Sequence, residues 1–98
     1  MDSREALEVL RRHEAELRGL GVRRAALFGS TVRGEAGPGS DLDIMVEVDP
    51  AARIGVYEYV GIVQYLESLF SIPVDVSNRD AQAPHVRRSA EREAIYAF

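Results

Sequence analysis

The spacing of apolar residues along the chain predicts helices and strands in the order helix, strand, strand, helix, strand, helix. Asp2 to Gly19 has the pattern of an amphipathic helix, and Asp2 is placed to cap its N-terminus. Two apolar runs of strand length follow, one from Val22 to Phe28 and one that opens with a pair of aspartates and continues to Val48. The first half of the chain therefore predicts one helix and two strands.

A polar, glycine-rich connection joins these two strands. Within it, Thr31 to Ala36 predicts a single helical turn, and Gly37-Pro38-Gly39 predicts a tight turn. The connection is too short for the full crossover helix that a parallel pair of strands needs. We therefore expect an antiparallel or mixed relation between the two strands.

The second half of the chain predicts a long helix from Ile54 to Phe70, in which apolar residues recur every three or four positions. The stripe that we expect to face the core consists of Val56, Val60, Val63, Leu66 and Phe70. Ile72 to Val76 predicts a short strand at a sheet edge, because Pro73 cannot donate to the ladder of a central strand. Asp80 to Phe98, which contains Pro84 near its beginning, predicts a final helix.

These elements predict an α/β (α+β) fold in which helices flank a small mixed β-sheet. We expect the helices to cover one face of the sheet and to leave a polar face open. The length of 98 residues suits one domain, which we expect to extend over residues 1–98. The polar start of the chain and the lack of a long apolar run favour a cytoplasmic protein over an exported or membrane-bound one.

Composition excludes several classes of chemistry. The chain has no cysteine, so it has no disulfide, no zinc-thiolate site and no thiol nucleophile. Every basic residue is an arginine, so a Schiff-base lysine is excluded as well. The formal net charge is −4, which provides no overall positive field for holding nucleic acid.

Asp41 and Asp43 occupy alternate positions at the start of the second strand. Alternate side chains leave the same face of a strand, roughly 6.5 to 7 Å apart along the backbone. Two like charges on one short face are tolerated when a cation lies between them, and carboxylate oxygens are ligands that Mg²⁺ prefers. Asp75, an acid between two valines in the third strand, is either a third ligand or a solvent-facing residue of an edge strand.

The first strand ends in Gly29-Ser30, directly before the predicted helical turn. Unpaired backbone N–H groups at the start of a helical turn attract anions, so a phosphate fits there. Gly29 lets the backbone approach the phosphate closely, and the hydroxyl group of Ser30 adds a donor. We interpret this turn as the phosphate end of a site whose metal end is formed by the aspartates.

Two further residues of the connection permit more than one interpretation. Arg33 can reach back as a bidentate phosphate ligand, or it can form a structural ion pair with Glu35 or Asp41. Ser40 either belongs to the same phosphate site or is a turn residue before the second strand. Neither residue by itself indicates a phosphate site, and each supports one only in combination with the other residues of the motif.

The combined pattern, Gly29-Ser30-x-x-Arg33-Gly34-x-Ala36-x-x-x-Ser40-Asp41-x-Asp43, resembles the signature of a known superfamily. It is similar to that of the nucleotidyltransferases that include DNA polymerase beta, and most closely to the minimal nucleotidyltransferase (MNT) branch. A further aspartate in a later strand, here Asp75, completes the family pattern. The resemblance covers essentially the whole chain, because MNT proteins are about one small domain long.

The resemblance implies a reaction in which a hydroxyl group attacks the α-phosphate of ATP and pyrophosphate leaves. It also implies two bound Mg²⁺ ions. Carried over to this sequence, the metal-binding and catalytic residues are Asp41, Asp43 and Asp75, and the nucleotide-binding residues are Gly29, Ser30, Arg33 and Ser40. A metal ion that lowers the pKa of the attacking hydroxyl explains why no histidine or lysine base is required.

The resemblance implies a protein partner as well. MNT proteins are commonly paired with a helical HEPN-domain ribonuclease toxin, which they neutralise, in characterised cases by adenylylating a tyrosine. Two alternatives stay open: an antitoxin that neutralises its toxin by binding alone, and transfer to a small molecule such as an aminoglycoside. The lack of an extra domain for binding a small acceptor counts against the second alternative.

Overall fold

The computed structural model describes residues 2–29 and 41–98. Within these ranges the chain forms a four-stranded sheet of order β3-β2-β1-β4. The strands are β1 (Val22–Leu27), β2 (Leu42–Val48), β3 (Val74–Asn78) and β4 (Ile95–Tyr96). Because β2 runs antiparallel to β1 and parallel to β3, the predicted mixed sheet is confirmed. The predicted turns at 31–36 and 37–39 lie outside the described residues.

Helices and short 3-10 turns make up the other regular elements of the described residues. The helices are α1 (Ser3–Arg12), α2 (Glu14–Gly19), α3 (Val56–Ser68) and α4 (Pro84–Glu93), and the 3-10 turns are Pro50–Ala52 and Arg79–Ala81. The predicted cap of α1 is confirmed, because the Asp2 carboxylate accepts a hydrogen bond from the Glu5 N–H at 2.8 Å. No helix in the described part of the chain is long and apolar enough to cross a membrane.

The prediction of one unbroken helix from Asp2 to Gly19 is wrong, because the helix is interrupted at His13. The backbone N–H of His13 bonds to the carbonyl of Leu10 at 3.2 Å, which tightens the last turn of α1. Nδ1 of His13 lies 3.0 Å from the hydroxyl oxygen of Tyr65 in α3. The break therefore coincides with a contact to α3, which lies about fifty residues later in the chain. The local sequence pattern does not predict such a contact.

The main core lies between one face of the sheet and the helices α1, α2 and α3. Leu42, Ile44 and Val46 of β2 are almost fully buried on this face, as expected for alternate positions of one strand. The helices contribute the buried side chains Ala6, Leu7, Leu10, Leu17, Ile62 and Leu66. This packing fixes the direction in which the intervening residues of β2 point.

The opposite face of the sheet is not the open polar face that the sequence predicts. Ala26 and Met45 are buried there, and Phe28, Ala94 and Tyr96 pack against them. Tyr96 reaches this position because β4 pairs antiparallel with β1, with Ala26 as its register partner. The predicted final helix therefore ends early, at Glu93, and the chain returns to the sheet.

The physical reason for this ending lies in the last four residues. Ile95 and Tyr96 are a β-branched and an aromatic residue, both of which favour strands. The N–H of Ala97 donates a hydrogen bond to the carbonyl of Ala25 at 2.8 Å, which continues the pairing with β1. β1 thereby becomes an interior strand, and β3 and β4 are the two edges.

The third strand begins two residues later than predicted. It covers Val74–Asn78, and Pro73 precedes it. The carbonyl of Pro73 still accepts a hydrogen bond from the N–H of Leu42 at 2.9 Å, so this proline contributes its acceptor and needs no donor. The predicted position of the strand at a sheet edge is confirmed.

The predicted core stripe of α3 is wrong in its first half. Val56 is 80% exposed and Val60 is 45% exposed, whereas Ile62 and Leu66 are fully buried. Tyr59 and Leu69 also pack against the core, so the buried stripe has the spacing three, four, three. Two apolar stripes of helical period exist on this helix, and the fold buries the one that contains the tyrosine.

A buried acid lies at the far end of β2. The side chain of Glu47 is only 6% exposed, and it faces three guanidinium groups. Its carboxylate oxygens lie 3.1 Å from Arg23, 4.0 Å from Arg24 and 3.9 Å from Arg79. The guanidinium group of Arg24 also stacks on the ring of Tyr96 at 3.8 Å. This cluster joins β1, β2 and the turn after β3 through one charge.

We expect Glu47→Gln to lower the free energy of unfolding by about 1.5–3 kcal/mol, because charged hydrogen bonds in a mostly buried position are lost. The matched control is Glu14→Gln, whose pair with Arg18 at 2.7 Å is exposed on both sides and should cost less than about 1 kcal/mol. Urea unfolding of both variants checks the difference. Equal losses in the two variants would show that the buried Glu47 cluster stabilises the fold no more than an exposed ion pair does.

Candidate active site

Asp43 and Asp75 are brought side by side by the parallel pairing of β2 and β3. They are register partners, so their backbones lie about 4.8 Å apart, the usual spacing of neighbouring strands. Val74 and Val76 pack against the main core, and Asp75 therefore points to the opposite face. Asp43 is partly buried and Asp75 is exposed. Two carboxylates from separate strands thus share one face of the sheet.

Asp41 lies directly before β2 and is exposed. Strand alternation places it on the side of Asp43, one position before the first residue of the strand. Among residues 2–29 and 41–98, no three histidine, aspartate or glutamate side chains lie close enough together to hold a metal ion. The oxygen donors of Asp43 and Asp75 fit the preference of Mg²⁺, but coordination by all three aspartates stays a prediction.

Gly29 lies against the carboxylate of Asp43. Its φ angle of +74° is one that residues with a side chain rarely adopt. A Cβ atom at this position would lie 2.5 Å from Oδ2 of Asp43, so a larger residue would have to displace the carboxylate. The preceding N–H, that of Phe28, donates to the carbonyl of Asp43 at 3.2 Å. The chain therefore leaves β1 immediately beside the carboxylate pair.

This exit point determines where the glycine-rich connection begins. The predicted phosphate ligands Ser30, Arg33 and Ser40 lie outside the described residues, so their roles stay predictions. The described parts of the site are Gly29 at one end of the connection and the aspartates at the other. Both ends of the connection are thus near one another, at the start of β2.

Tyr59 belongs to the neighbourhood of Asp75, which sequence reasoning missed. Burial raises the pKa of the Tyr59 hydroxyl, and the charge of Asp75 raises it further. The phenol therefore stays neutral at physiological pH and lies within electrostatic reach of the third carboxylate. No sequence signal indicates this, because the proximity depends on how α3 packs beside the edge strand.

The arrangement combines two functions at one end of the sheet. Two carboxylates can hold a cation. Because Gly29 has no side chain, an anionic ligand such as a phosphate can approach that cation closely. A cation held by carboxylates usually takes further oxygen ligands from water or from substrate phosphates. The geometry therefore suits a metal-bound phosphate compound.

Comparison with known proteins supports this interpretation. Residues 5–97 match the family described as a nucleotidyltransferase domain. A protein of Methanocaldococcus jannaschii named as a protein adenylyltransferase is 38% identical over 94 residues, which are 94% of this chain and 94% of that protein. The protein adenylyltransferase MntA of Thermococcus cleftensis is 34% identical over 89 residues, 90% of this chain and 88% of that protein.

Solved structures show the same architecture. One of a minimal nucleotidyltransferase has a TM-score of 0.73 at 32% identity and covers 97% of this chain and 95% of its own. A complex of an MNT antitoxin with the tri-AMPylated HEPN toxin of Shewanella oneidensis has a TM-score of 0.64 at 17% identity, over 94% of this chain and 71% of that one. The second likeness concerns the fold alone. The chain belongs to the nucleotidyltransferase family, in its minimal branch.

Proposed function

We propose that this chain is a protein adenylyltransferase and an antitoxin, which transfers AMP from ATP to a tyrosine hydroxyl of a HEPN-domain ribonuclease toxin. The observation that carries the proposal is the register of Asp43 with Asp75, next to Gly29, where a Cβ atom would meet the Asp43 carboxylate. We further propose that one nucleotidyltransferase domain extends over residues 1–98. The adenylyltransferase names of the relatives support the reaction type.

In the proposed reaction, the phenolic oxygen of the toxin attacks the α-phosphorus of ATP. A new P–O bond forms, the bond between the α-phosphorus and the bridging oxygen breaks, and pyrophosphate leaves with the electron pair of that bond. The phenolic proton passes to a carboxylate oxygen of Asp75, which is exposed at the sheet edge and reachable from solvent. Positioning and charge neutralisation then account for most of the rate.

Mg²⁺, when bound, would neutralise the triphosphate and lower the pKa of the acceptor hydroxyl. Asp43 and Asp75 would hold it, together with Asp41 at the start of β2. Gly29 leaves room for the triphosphate next to Asp43, and we assign Ser30, Arg33 and Ser40 to its phosphate oxygens. In this proposal the metal-binding and phosphate-binding residues of the site both lie near the start of β2.

A protein acceptor suits the shape of the site. Asp75 lies on an edge strand, so an acceptor can approach it from the side of the sheet. The MNT antitoxin in the Shewanella oneidensis complex is bound to a HEPN toxin that carries AMP groups. By analogy with that pair, we assign the acceptor tyrosine of the present reaction to a HEPN toxin.

We expect Asp43→Asn to reduce AMP transfer at least about 100-fold, as removal of other transition-state stabilising groups does. The assay is the mass increase, in steps of one adenylate, of a HEPN-domain toxin incubated with this chain, ATP and Mg²⁺. The melting temperature of the metal-free variant should be retained, because asparagine has the same shape and one like charge is removed.

The matched control for this assay is Asp2→Asn, which keeps a good helix cap on α1, a helix that packs on the face of the sheet opposite to Asp43, and should transfer AMP normally. If the wild-type chain inhibits the toxin without adding AMP, it is an antitoxin that acts by binding, and the proposed reaction is wrong.

We expect Gly29→Ala to weaken ATP binding and to destabilise the fold by about 1–3 kcal/mol, because alanine at this positive φ is strained and its methyl group meets the Asp43 carboxylate. Calorimetric titration with ATP and urea unfolding measure the two effects. Gly61→Ala is the control: its methyl group would contact nothing within 4 Å, and alanine should stabilise α3 by about 0.5–1 kcal/mol. Unchanged ATP affinity in Gly29→Ala would contradict the assignment.

A further inference from the structure

A β-bulge at the start of β1 places two neighbouring arginines on the same face of the sheet. Arg24 is the register partner of Glu47, and the register shifts between Val22 and Arg24, which leaves Arg23 as the extra residue of the bulge. Val22 and Ala25, on either side of the bulge, both pack in the main core. Regular alternation would send one arginine to each face, whereas the bulge sends both to the face opposite the main core. We call Arg23 and Arg24 the arginine pair.

The arginine pair carries more charge than the acid that it contacts. Within residues 2–29 and 41–98, Glu47 is the acid in contact with both members, 3.1 Å from Arg23 and 4.0 Å from Arg24. Arg79 shares this carboxylate at 3.9 Å and pairs with Asp80 as well, at 3.1 Å. The side chains of the pair are 50% and 47% exposed. One buried negative charge therefore lies beneath two half-exposed positive charges.

The guanidinium group of Arg24 is held in place without a hydrogen bond to the described part of the chain. It stacks on the ring of Tyr96 at 3.8 Å from the ring centre, and its distance of 4.0 Å from Glu47 is too long for a hydrogen bond. A planar guanidinium group that is already fixed loses less rotamer freedom when it binds an oxyanion. Arg24 therefore presents N–H donors in a prepared position to a carboxylate or phosphate group.

The arginine pair lies within the area that a protein acceptor would cover. Glu47 follows Asp43 by four residues on the same strand face, so about 13 Å separate them along β2. A standard interface buries about 800 Å² per partner, which corresponds to a circle about 16 Å in radius. An acceptor protein centred on Asp43 and Asp75 would therefore also cover Arg24. Removal of a guanidinium group from water is costly unless the partner supplies an opposite charge.

We propose that the toxin places an aspartate or glutamate side chain on the arginine pair, where it accepts hydrogen bonds from Arg24. This inference rests on the proposed function, because it takes the acceptor to be a protein. The contact fixes the orientation of the toxin on the sheet face that carries the aspartates, and it thereby helps to bring the acceptor hydroxyl to Asp75. Arg24 is thus a positioning residue for the acceptor.

An acidic protein surface fits the arginine pair better than a nucleic acid does. Binding of a nucleic acid backbone requires several phosphate contacts. The chain has a net charge of −4, and the carboxylates of Asp43 and Asp75 lie on the same face as the arginine pair. These charges would repel a backbone that crosses the face, whereas a single carboxylate placed on Arg24 avoids them.

Binding of a HEPN-domain toxin in the absence of ATP and Mg²⁺ tests the contact separately from the reaction. We expect Arg24→Gln to raise the dissociation constant at least about 10-fold, and Arg24→Glu to raise it further, because the toxin carboxylate loses its partner and then meets a like charge. Calorimetric titration measures these values. The affinity of the wild-type chain should fall with rising NaCl concentration more steeply than that of Arg24→Gln.

Arg4→Gln is the matched control. Arg4 forms a similarly loose ion pair, at 3.8 Å from Glu8, on the exposed side of α1, which packs on the other face of the sheet. Its loss should leave toxin binding unchanged. Urea unfolding should show that Arg24→Gln is folded, because Glu47 keeps its contacts with Arg23 and Arg79.

Two further titrations identify other ligands of the arginine pair. The first uses ATP with Mg²⁺, and the second uses a single-stranded RNA. We expect Arg24→Gln to bind ATP as tightly as the wild-type chain does. A weaker affinity of this variant for ATP or for RNA would overturn the proposal, because the arginine pair would then bind phosphate groups.

The toxin titration separates this inference from the proposed function. If the wild-type chain and Arg24→Gln bind the toxin within about twofold of each other, the inference is wrong and the proposed function is unaffected. If the wild-type chain binds the toxin and transfers no AMP, the proposed reaction is wrong, while a loss of binding in Arg24→Gln still supports the contact. If the wild-type chain does not bind the toxin, both are wrong.

Discussion

The opposite pairing senses of β2 with its two neighbours determine where the chemistry is located. Because β1 is antiparallel to β2, the end of β1 lies beside the start of β2. Because β3 is parallel to β2, the start of β3 lies there too. Gly29, Asp43 and Asp75 consequently meet at one end of the sheet, although the aspartates come from distant parts of the chain. A change of sense in either pairing would separate them.

Much of this site is predictable from local sequence, and the part that is not depends on long-range pairing. The common face of Asp41 and Asp43 follows from strand periodicity alone. The position of Asp75 beside Asp43 depends on register, which no local pattern specifies. The break at His13 and the strand at Ile95 likewise result from contacts with Tyr65 and with β1. On α3, two stripes of equal period compete, and only packing selects between them.

The face of the sheet that carries the site contains two acids in different surroundings. Glu47 is buried and neutralised by three arginines, so its charge contributes to holding the strands together. Asp43 lies four residues earlier on the same strand face, next to Gly29 and beside the carboxylate of Asp75. Met45, buried between the two acids, separates a structural end of the strand from a chemical end.

The location of Asp75 on an edge strand has a consequence for the dynamics of the site. Among the described strands, β3 has a neighbour on one side only, and it is five residues long. Edge strands of this kind open locally at a lower free energy than interior strands such as β2. Local opening of β3 would move Asp75 away from Asp43, so a protein that packs along this strand would hold the two carboxylates together by keeping it closed.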